Sequence, residues 1–371
     1  MVVKKKILIV THGFHPEQSP RAFRATELAK EFCRQGHEVT VMAPERSNMG
    51  DLLNEFPITF VSLGQLKWKI FNFKSQGGLG KIYNKVVNRT MPLLFEYPMI
   101  ELIPKIKKIF DSNHNSYDIL ISVAVPYPIH WGIAAIWKSK LKSKIGIWVA
   151  DCGDPYCLQE NDTFRPPFYF QWIEKWFMRK ADYITVPTQN SFKAYFPEFY
   201  SKLKVIPQGF RFQDIEKKET INDGIVRFGY GGVFMPGIRD PREFIEFLIS
   251  LPQKILFEFH VFTNSPQFVK PYILSDTRII VHNPVNRKAL LETLSSFNFV
   301  VNFANQGSAQ TPSKLIDYAI IDKPILNIVT GSLNRQSVEE FLNGDYVQSL
   351  KIENIDNYRI ENVIQSFINL T

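Results

Sequence analysis

The stretch Gln310-Thr311-Pro312-Ser313-Lys314-Leu315-Ile316-Asp317-Tyr318 has residue types and spacing suited to holding a phosphorylated ligand. Pro312 opens a predicted helix whose free N–H groups and positive dipole end favour an anion, with Ser313 and Lys314 in the first turn. Asp317 follows Ser313 by four residues, so it lies on nearly the same face one turn on, where a carboxylate accepts hydrogen bonds from ribose hydroxyls. Phosphate donors followed by a ribose acceptor describe a nucleoside diphosphate site. The alternative is a plain helix cap with Lys314 and Asp317 paired across the surface. Earlier in the chain, Gly229-Tyr230-Gly231-Gly232 closes a predicted strand and leads to Ile238-Arg239-Asp240-Pro241 at a helix start. Gly231 and Gly232 let backbone approach a ligand, and Arg239 presents a two-pronged fork to phosphate oxygens. On composition alone, Arg239 equally suits a surface pair with Asp240 or Glu243. There is no G-x-G-x-x-G after the first strand and no P-loop, which removes support from classical dinucleotide and Walker-type sites.

The elements that must position these residues alternate along the chain. Lys6–Val10 is an apolar, β-branched run that suits a buried parallel strand. Ser19-Pro20 then caps a helix that sets Ala25, Leu28, Ala29 and Phe32 on one face and stops at Gly36, before a strand at Val39–Met42. Strand-like runs recur at Ile58–Leu63, Asp118–Val123, Ile145–Val149 and Tyr183–Val186, with amphipathic segments at Ile129–Leu141 and Phe168–Lys180. The pattern pauses at Gln208–Gly224. A second series follows, with strands near Val226–Tyr230, Ile255–Phe262, Arg278–Val281, Phe299–Phe303 and Ile325–Ile328, and helices near Pro241–Ser250, Arg287–Phe297 and Pro312–Ile320. This predicts an α/β protein of two Rossmann-like, doubly wound parallel-sheet domains, 1–207 and 208–371, facing across a ligand cleft.

The 371 residues suffice for two such cores, and 45% apolar residues with 14% aromatics exclude a disordered chain. No run approaches 18 consecutive apolar residues, so a spanning helix is not expected, and the N-terminal apolar stretch passes directly into polar residues, unlike a signal peptide. Cys33, Cys152 and Cys157 fit neither a disulfide framework nor a four-ligand zinc site, which points to a reduced, cytoplasmic setting.

The formal charge of +8 is unevenly spread. Ser62–Ile109 holds nine Lys/Arg (67, 69, 74, 81, 85, 89, 105, 107, 108) against Glu96 and Glu101, a net +7, so the remainder is nearly neutral. Lys67, Trp68, Lys69, Lys105, Lys107 and Lys108, among many apolar residues, suit an anionic membrane surface. They equally suit an ordinary solvated helix face with its other side buried. Nucleic acid is not expected, because no recognised binding motif accompanies the patch.

Several ordered landmarks now carry a resemblance. The run Ile7-Leu8-Ile9-Val10…Phe14-His15-Pro16…Arg24…Leu28-Ala29…Gly36-His37-Glu38-Val39-Thr40-Val41 comes first, followed by Ala150-Asp151-Cys152-Gly153-Asp154-Pro155-Tyr156. Ala181-Asp182-Tyr183-Ile184-Thr185 and Lys204-Val205-Ile206-Pro207-Gln208-Gly209-Phe210 come next, and Pro312-Ser313-Lys314-Leu315-Ile316-Asp317-Tyr318…Lys323-Pro324-Ile325 is the most specific. Together they resemble glycosyltransferase family 4, of the GT-B fold, over essentially the full length. The resemblance implies retaining transfer of a sugar from a UDP- or GDP-linked donor, with no cofactor and no catalytic metal. Arg239 and Lys314 would stabilise the leaving diphosphate, Pro312, Ser313 and the helix amides would bind it, and Asp317 would hold the ribose.

From the N-terminal half, His12, Ser19 and Arg21 are acceptor-side candidates, and His130, Asp151 and Asp154 are catalytic candidates at strand ends. The alternatives are a packed histidine at His130 and an Asx turn at Asp154-Pro155. The chain departs from the family pattern at Ala309 and Asp317, where two glutamates are usual, at Val233, and at Ser19-Pro20. The donor sugar therefore stays open. The expected function is transfer to a lipid-linked glycan acceptor in bacterial surface polysaccharide synthesis, by a peripheral protein on the inner face of the cell membrane. A non-catalytic GT-B partner or membrane-binding scaffold, and a nucleotide-sugar epimerase of the same fold, are the alternatives.

Overall fold

The structure, a computed structural model, describes residues 3–69, 78–112, 115–158, 166–304 and 313–371, with positions 78–80, 139–140 and 313 described by backbone alone. The chain divides into two compact units, residues 1–210 with 360–371, and residues 211–359.

The first unit is built on a seven-stranded sheet: β1 (Lys6–Thr11), β2 (Glu38–Ala43), β3 (Ile58–Ser62), β4 (Tyr117–Ala124), β5 (Ile145–Cys152), β6 (Tyr183–Val186) and β7 (Leu203–Val205). Their order is β3-β2-β1-β4-β5-β6-β7, and every pairing is parallel. Parallel strands are covered on both faces, which is why Ile7, Leu8, Ile9 and Val10 are all buried and read as a continuous apolar run. The order reverses between β1 and β4, the place where open α/β sheets leave a crevice. The helix Pro20–Arg34 begins as expected: the Ser19 hydroxyl accepts the Ala22 N–H at 3.2 Å, and Pro20 takes the first position. Gly36, at φ 84°, ends it in the left-handed region that glycine tolerates.

The second unit has five strands, β8 (Val226–Gly231), β9 (Phe257–Phe262), β10 (Ile279–His282), β11 (Phe299–Phe303) and β12 (Ile325–Ile328), in the order β10-β9-β8-β11-β12 and again all parallel. Its core is aromatic. Phe228 stacks on Phe259 (5.1 Å between centroids) and on Phe299 (4.5 Å) across three neighbouring strands.

The units meet in the chain at 210/211, where the pause in the pattern suggested 207/208, and the expected extent of the second domain, to residue 371, needs correction. The helix Ile360–Ile368 packs against Pro20–Arg34 and buries Ile360, Val363, Ile364 and Phe367 in the first unit. Phe367 lies 6.4 Å from Phe32 and beneath the Arg24 guanidinium, and the Ile360 N–H donates to the Phe210 carbonyl at 3.0 Å. An amphipathic pattern shows that a helix covers a core without showing which one. Among the described residues no helix is long and apolar enough to cross a membrane.

Candidate functional site

In the second unit, the expected donor residues gather at the carboxyl end of β8. Lys314, in the first turn of the helix Ser313–Ile320, reaches across so that its Nζ donates to the Tyr230 hydroxyl at 3.2 Å and sits 4.4 Å from the ring centroid. A Cβ at position 232 would fall 1.8 Å from that Nζ, so Gly232 leaves the space the lysine occupies. The Gly231 N–H donates to the Tyr318 hydroxyl at 3.2 Å, and a Cβ there would meet Leu290 at 2.4 Å. Burial, assisted by the charge of Arg239, pushes the Lys314 pKa down to about 8.

Arg239 does not take the expected surface partners. Asp240 is held by Arg242, whose Nε donates to it at 2.9 Å. Arg239 instead donates to the Met235 sulfur at 2.9 Å, and its charge favours the Tyr230 phenolate, although burial dominates and pushes that phenol up to about 12. Its Nε is buried with no hydrogen-bond partner among the described residues. Two neighbouring cations, one of them with an unmet guanidinium donor, make a site that favours an anion.

Asp317 is not paired with Lys314 across the surface. Arg287, from the helix Arg287–Ser295, donates to its Oδ1 through Nε at 2.8 Å and Nη2 at 2.5 Å. Burial raises the Asp317 pKa overall, with Arg287 the main opposing influence. The carboxylate is thus fixed in orientation. Arg287 carries no sequence signal: its partner is thirty residues away. Pro312 and the Ser313 side chain lie outside the described residues.

In the first unit, Arg21 and Asp154 come together as an ion pair at 3.4 Å. The Arg21 guanidinium lies where a side chain on residue 153 would be, 1.5 Å from a Cβ built there, so Gly153 is required for the approach. Arg21 Nε is buried without a partner among the described residues, and the Asp154 side chain is half exposed. Ser19 serves as the helix cap described above. His12 is half-buried and its carbonyl accepts Arg46 Nη2 at 3.2 Å; burial and then Arg46 lower its pKa, so the ring is neutral at pH 7.

Two expected catalytic residues are instead parts of the core. β5 runs three residues further than expected, which draws Asp151 into the sheet. There its oxygens accept Arg24 Nε (3.1 Å), Arg24 Nη2 (2.8 Å) and the Thr185 hydroxyl (2.6 Å); burial pushes its pKa up, but the charges of Arg24 and Arg21 and these hydrogen bonds together hold it below the ordinary value. Arg24 also donates to the carbonyls of Ile206 (3.2 Å) and Pro207. Asp151 is a structural residue, 3% exposed and with both oxygens engaged. His130 is 0% exposed: Trp148 Nε1 donates to Ser122 Oγ at 2.8 Å, Ser122 Oγ shares a hydrogen bond with His130 Nδ1 at 2.8 Å, and His130 Nε2 faces Cys152 Sγ at 3.4 Å. Its ring stacks on Phe177 at 5.0 Å, and burial pushes its pKa down to about 3. A neutral ring enclosed in this way is a packing residue.

Tyr156, the last residue of the Ala150–Tyr156 landmark, holds the Asp154 loop together with Tyr127 and Glu174, to which the sequence gives no role. The Tyr127 hydroxyl donates to the Asp154 carbonyl at 2.5 Å, and Tyr156 stacks obliquely on Tyr127 at 4.7 Å. The buried Glu174 carboxylate accepts the Cys157 N–H at 3.2 Å, and burial pushes its pKa up to about 7. Cys152 and Cys157 are free, and burial raises both thiol pKa values, which leaves them as packed thiols.

The basic patch also divides. Lys67, Trp68, Lys69, Lys107 and Lys108 are exposed, and Trp68 stacks on Tyr97 at 5.7 Å. Lys105 is instead a clamp, donating to the carbonyls of Gln65 (2.9 Å) and Leu63 (3.3 Å) and pairing with Glu101, which itself accepts the N–H groups of Lys67 and Trp68. Among the described residues, no group of three or more His, Cys, Asp or Glu side chains is arranged to hold a metal ion.

Comparison with known proteins gives the family and the fold. Residues 22–213 match the family described as Glycosyltransferase Family 4. The fold is similar to that of a glycosyltransferase from Rickettsia africae ESF-5 (TM-score 0.61, 10% identity, 99% of this chain and 97% of that one). It is similar to the lipopolysaccharide outer core galactosyltransferase WaaB (0.57, 10%, 98% and 98%). It is also similar to a mutant of S. aureus TarM in complex with Fondaparinux, alpha-GlcNAc-glycerol and UDP (0.58, 11%, 99% and 99%). No curated protein matches the sequence. With a family match over half its length and two parallel-sheet α/β units that share their fold with these structures, the chain belongs to glycosyltransferase family 4 and has the GT-B fold.

Proposed function

We propose that this protein is a retaining transferase that moves a sugar from a UDP- or GDP-linked donor to a lipid-linked glycan at an anionic membrane surface, on the cytoplasmic side. The observation that carries the donor half is the convergence of Lys314 and Arg239 on Tyr230 at a glycine pair, one helical turn from a fixed carboxylate at Asp317. Lys314 is largely withdrawn from water, so its field on a phosphate oxygen is stronger than that of an exposed lysine. UDP in the TarM complex supports the nucleotide, and the glycan ligands there support a glycan acceptor.

In the reaction, the acceptor hydroxyl oxygen bonds to the anomeric carbon on the face from which the diphosphate departs. The bond from that carbon to the phosphate oxygen breaks, and the acceptor proton passes to a phosphate oxygen. Lys314 and Arg239 take up the charge that develops on the leaving diphosphate, and neither a metal nor a protein base is required in this scheme. Arg21 and Asp154, the accessible pair in the first unit, are the candidates to orient the acceptor. The exposed Lys67, Trp68, Lys69, Lys107 and Lys108 supply the attraction to anionic headgroups, about 1 kcal/mol for each cation close to the surface.

Incubation with a panel of UDP- and GDP-sugars and extracted lipid-linked glycans tests this reading, with the anomeric configuration of the product determined by NMR. Retention at the anomeric carbon is expected. Nucleotide binding without turnover over the whole panel would favour a non-catalytic partner, and sugar interconversion without acceptor would favour an epimerase.

A further inference from the structure

The first unit contains an apolar groove of about 580 Å³ that the chemistry above does not use. Its walls come from the helices Gly78–Phe95, Leu102–Ser112, Pro128–Ile136 and Tyr169–Lys180, and include Phe95, Ile103, Trp131, Phe170, Trp172 and Trp176. Every lining side chain is aliphatic or aromatic, and the one hydroxyl among them, on Tyr169, is spent on the Leu94 carbonyl. The groove is open: Phe95 is 54% and Trp172 66% exposed, and Phe168, 69% exposed, meets Trp172 edge-on at 5.6 Å. Aromatic side chains left this far in water around a concave apolar surface mark a place where something apolar binds.

Two further features say what that is. The groove touches the candidate acceptor loop: Trp131 and Phe170 meet Tyr156 at 5.6 and 5.3 Å, and Tyr156 rests on Tyr127, whose hydroxyl holds the Asp154 carbonyl. Trp131 is almost fully buried in the groove wall, and its indole N–H has no hydrogen-bond partner among the described residues. The helix Gly78–Phe95, whose last turn supplies Leu94 and Phe95 to the groove, exposes Lys81 and Lys85 beside Ile82, Tyr83 and Val86 in its earlier turns, a pattern complementary to a surface with both a hydrocarbon part and negative heads.

We propose that this groove holds the hydrocarbon chain of a single phosphate-bearing lipid, the carrier part of the acceptor, and so sets the acceptor's sugar end toward Arg21 and Asp154. The inference rests on the acceptor reading above but concerns a separate surface. It also assigns the groove a role distinct from the lysines that attract the bulk bilayer: one chain is selected by length, where Lys107 and Lys108 respond only to surface charge.

The test uses dodecyl phosphate and hexyl phosphate below their micellar concentrations, followed by tryptophan fluorescence and by calorimetry. Dodecyl phosphate should bind saturably at one per chain and at least tenfold more tightly than hexyl phosphate. Trp172→Glu, at an exposed rim position that leaves the core intact, and Ala135→Phe, which fills the groove, should each weaken binding at least tenfold. Lys107→Glu with Lys108→Glu should lower sedimentation with phosphatidylglycerol vesicles while leaving dodecyl phosphate binding within twofold. Non-saturable uptake, indifference to chain length, or unchanged affinity in both groove variants would overturn the proposal. So would a dimer in light scattering that Trp172→Glu converts to monomer, since the groove would then be a self-interface. UDP binding is measured on the same samples: its absence in the wild type counts against the donor reading alone, whereas absence of dodecyl phosphate binding with UDP binding intact counts against the groove alone.

Discussion

The Lys314 ammonium lies 3.2 Å from the Tyr230 hydroxyl and over its ring, in a space that exists because residue 232 has no side chain. Strand, glycine and helix start are thereby tied into one unit, and the lysine is poised near its own titration point.

That poise has a pH signature. Below about 8 the unliganded Lys314 is charged, and above it the charge is lost, whereas a bound diphosphate would keep the proton in place. UDP affinity should therefore fall by up to tenfold per pH unit from pH 8 to pH 9.5, with proton uptake on binding visible as a buffer-dependent calorimetric enthalpy. Lys314→Arg should flatten the profile. An unchanged slope in that variant would mean that another group titrates.

Gly232→Ala should displace the end of a flexible side chain rather than backbone, because the added Cβ meets Lys314 Nζ first. The expected result is nucleotide binding weakened at least tenfold, about 1.4 kcal/mol, with little change in melting temperature. Comparable losses of stability and binding would show that the glycine serves the fold.

The buried pair of Arg24 and Asp151 should behave as a structural unit. Arg24→Leu leaves a carboxylate in the core that keeps the Thr185 hydroxyl but loses both guanidinium donors, and should cost about 3–5 kcal/mol in urea unfolding. The double replacement Arg24→Leu with Asp151→Leu should recover part of that loss. If Asp151→Asn abolished turnover while stability stayed intact, the assignment of Asp151 to a structural role would be wrong.

Glu174 gives the opposite kind of linkage. Its folded pKa, about 7, lies above the ordinary 4.5, so the folded state holds the proton more tightly than the unfolded state. No penalty exists below about pH 4.5; it grows between the two values and continues above 7 at its full size. Glu174→Gln retains an acceptor for the Cys157 N–H and should raise stability at pH 8 by up to about 3 kcal/mol, with little change at pH 4.5. Urea titrations at the two pH values measure the difference, and equal effects at both would contradict the shift.

Much of the fold is legible in local pattern. The run Ile7–Val10, the cap at Ser19 and the stop at Gly36 are each determined by residues within a few positions, and the structure has all three. The second domain's strands are read equally well, because each is a short apolar run between polar breaks. Lys314, Arg239 and Asp317 are legible as candidates because a helix start and a glycine pair announce them locally.

What escapes is set by distant contacts. Asp317 takes its orientation from Arg287, and Asp151 is sealed by Arg24 from 127 residues away. His130 follows a strand end, where a side chain can face solvent or core, and it is Phe177 from a later helix that closes over it. Lys105 counts as surface charge in composition, but in the structure three oxygen partners hold it in place. The final helix is amphipathic in either domain, and only the complementary surface of Pro20–Arg34 decides which one it joins.

In the proposed donor site, the diphosphate of the nucleotide rests on Lys314 and Arg239. Calorimetric titration of UDP and GDP into the wild type and into Lys314→Ala with Arg239→Ala measures that contact. Saturable binding of at least one nucleotide to the wild type is expected, with a loss of at least a hundredfold, about 2.7 kcal/mol, in the double variant. Equal affinity in the two proteins, or no binding of either nucleotide to the wild type, would contradict it.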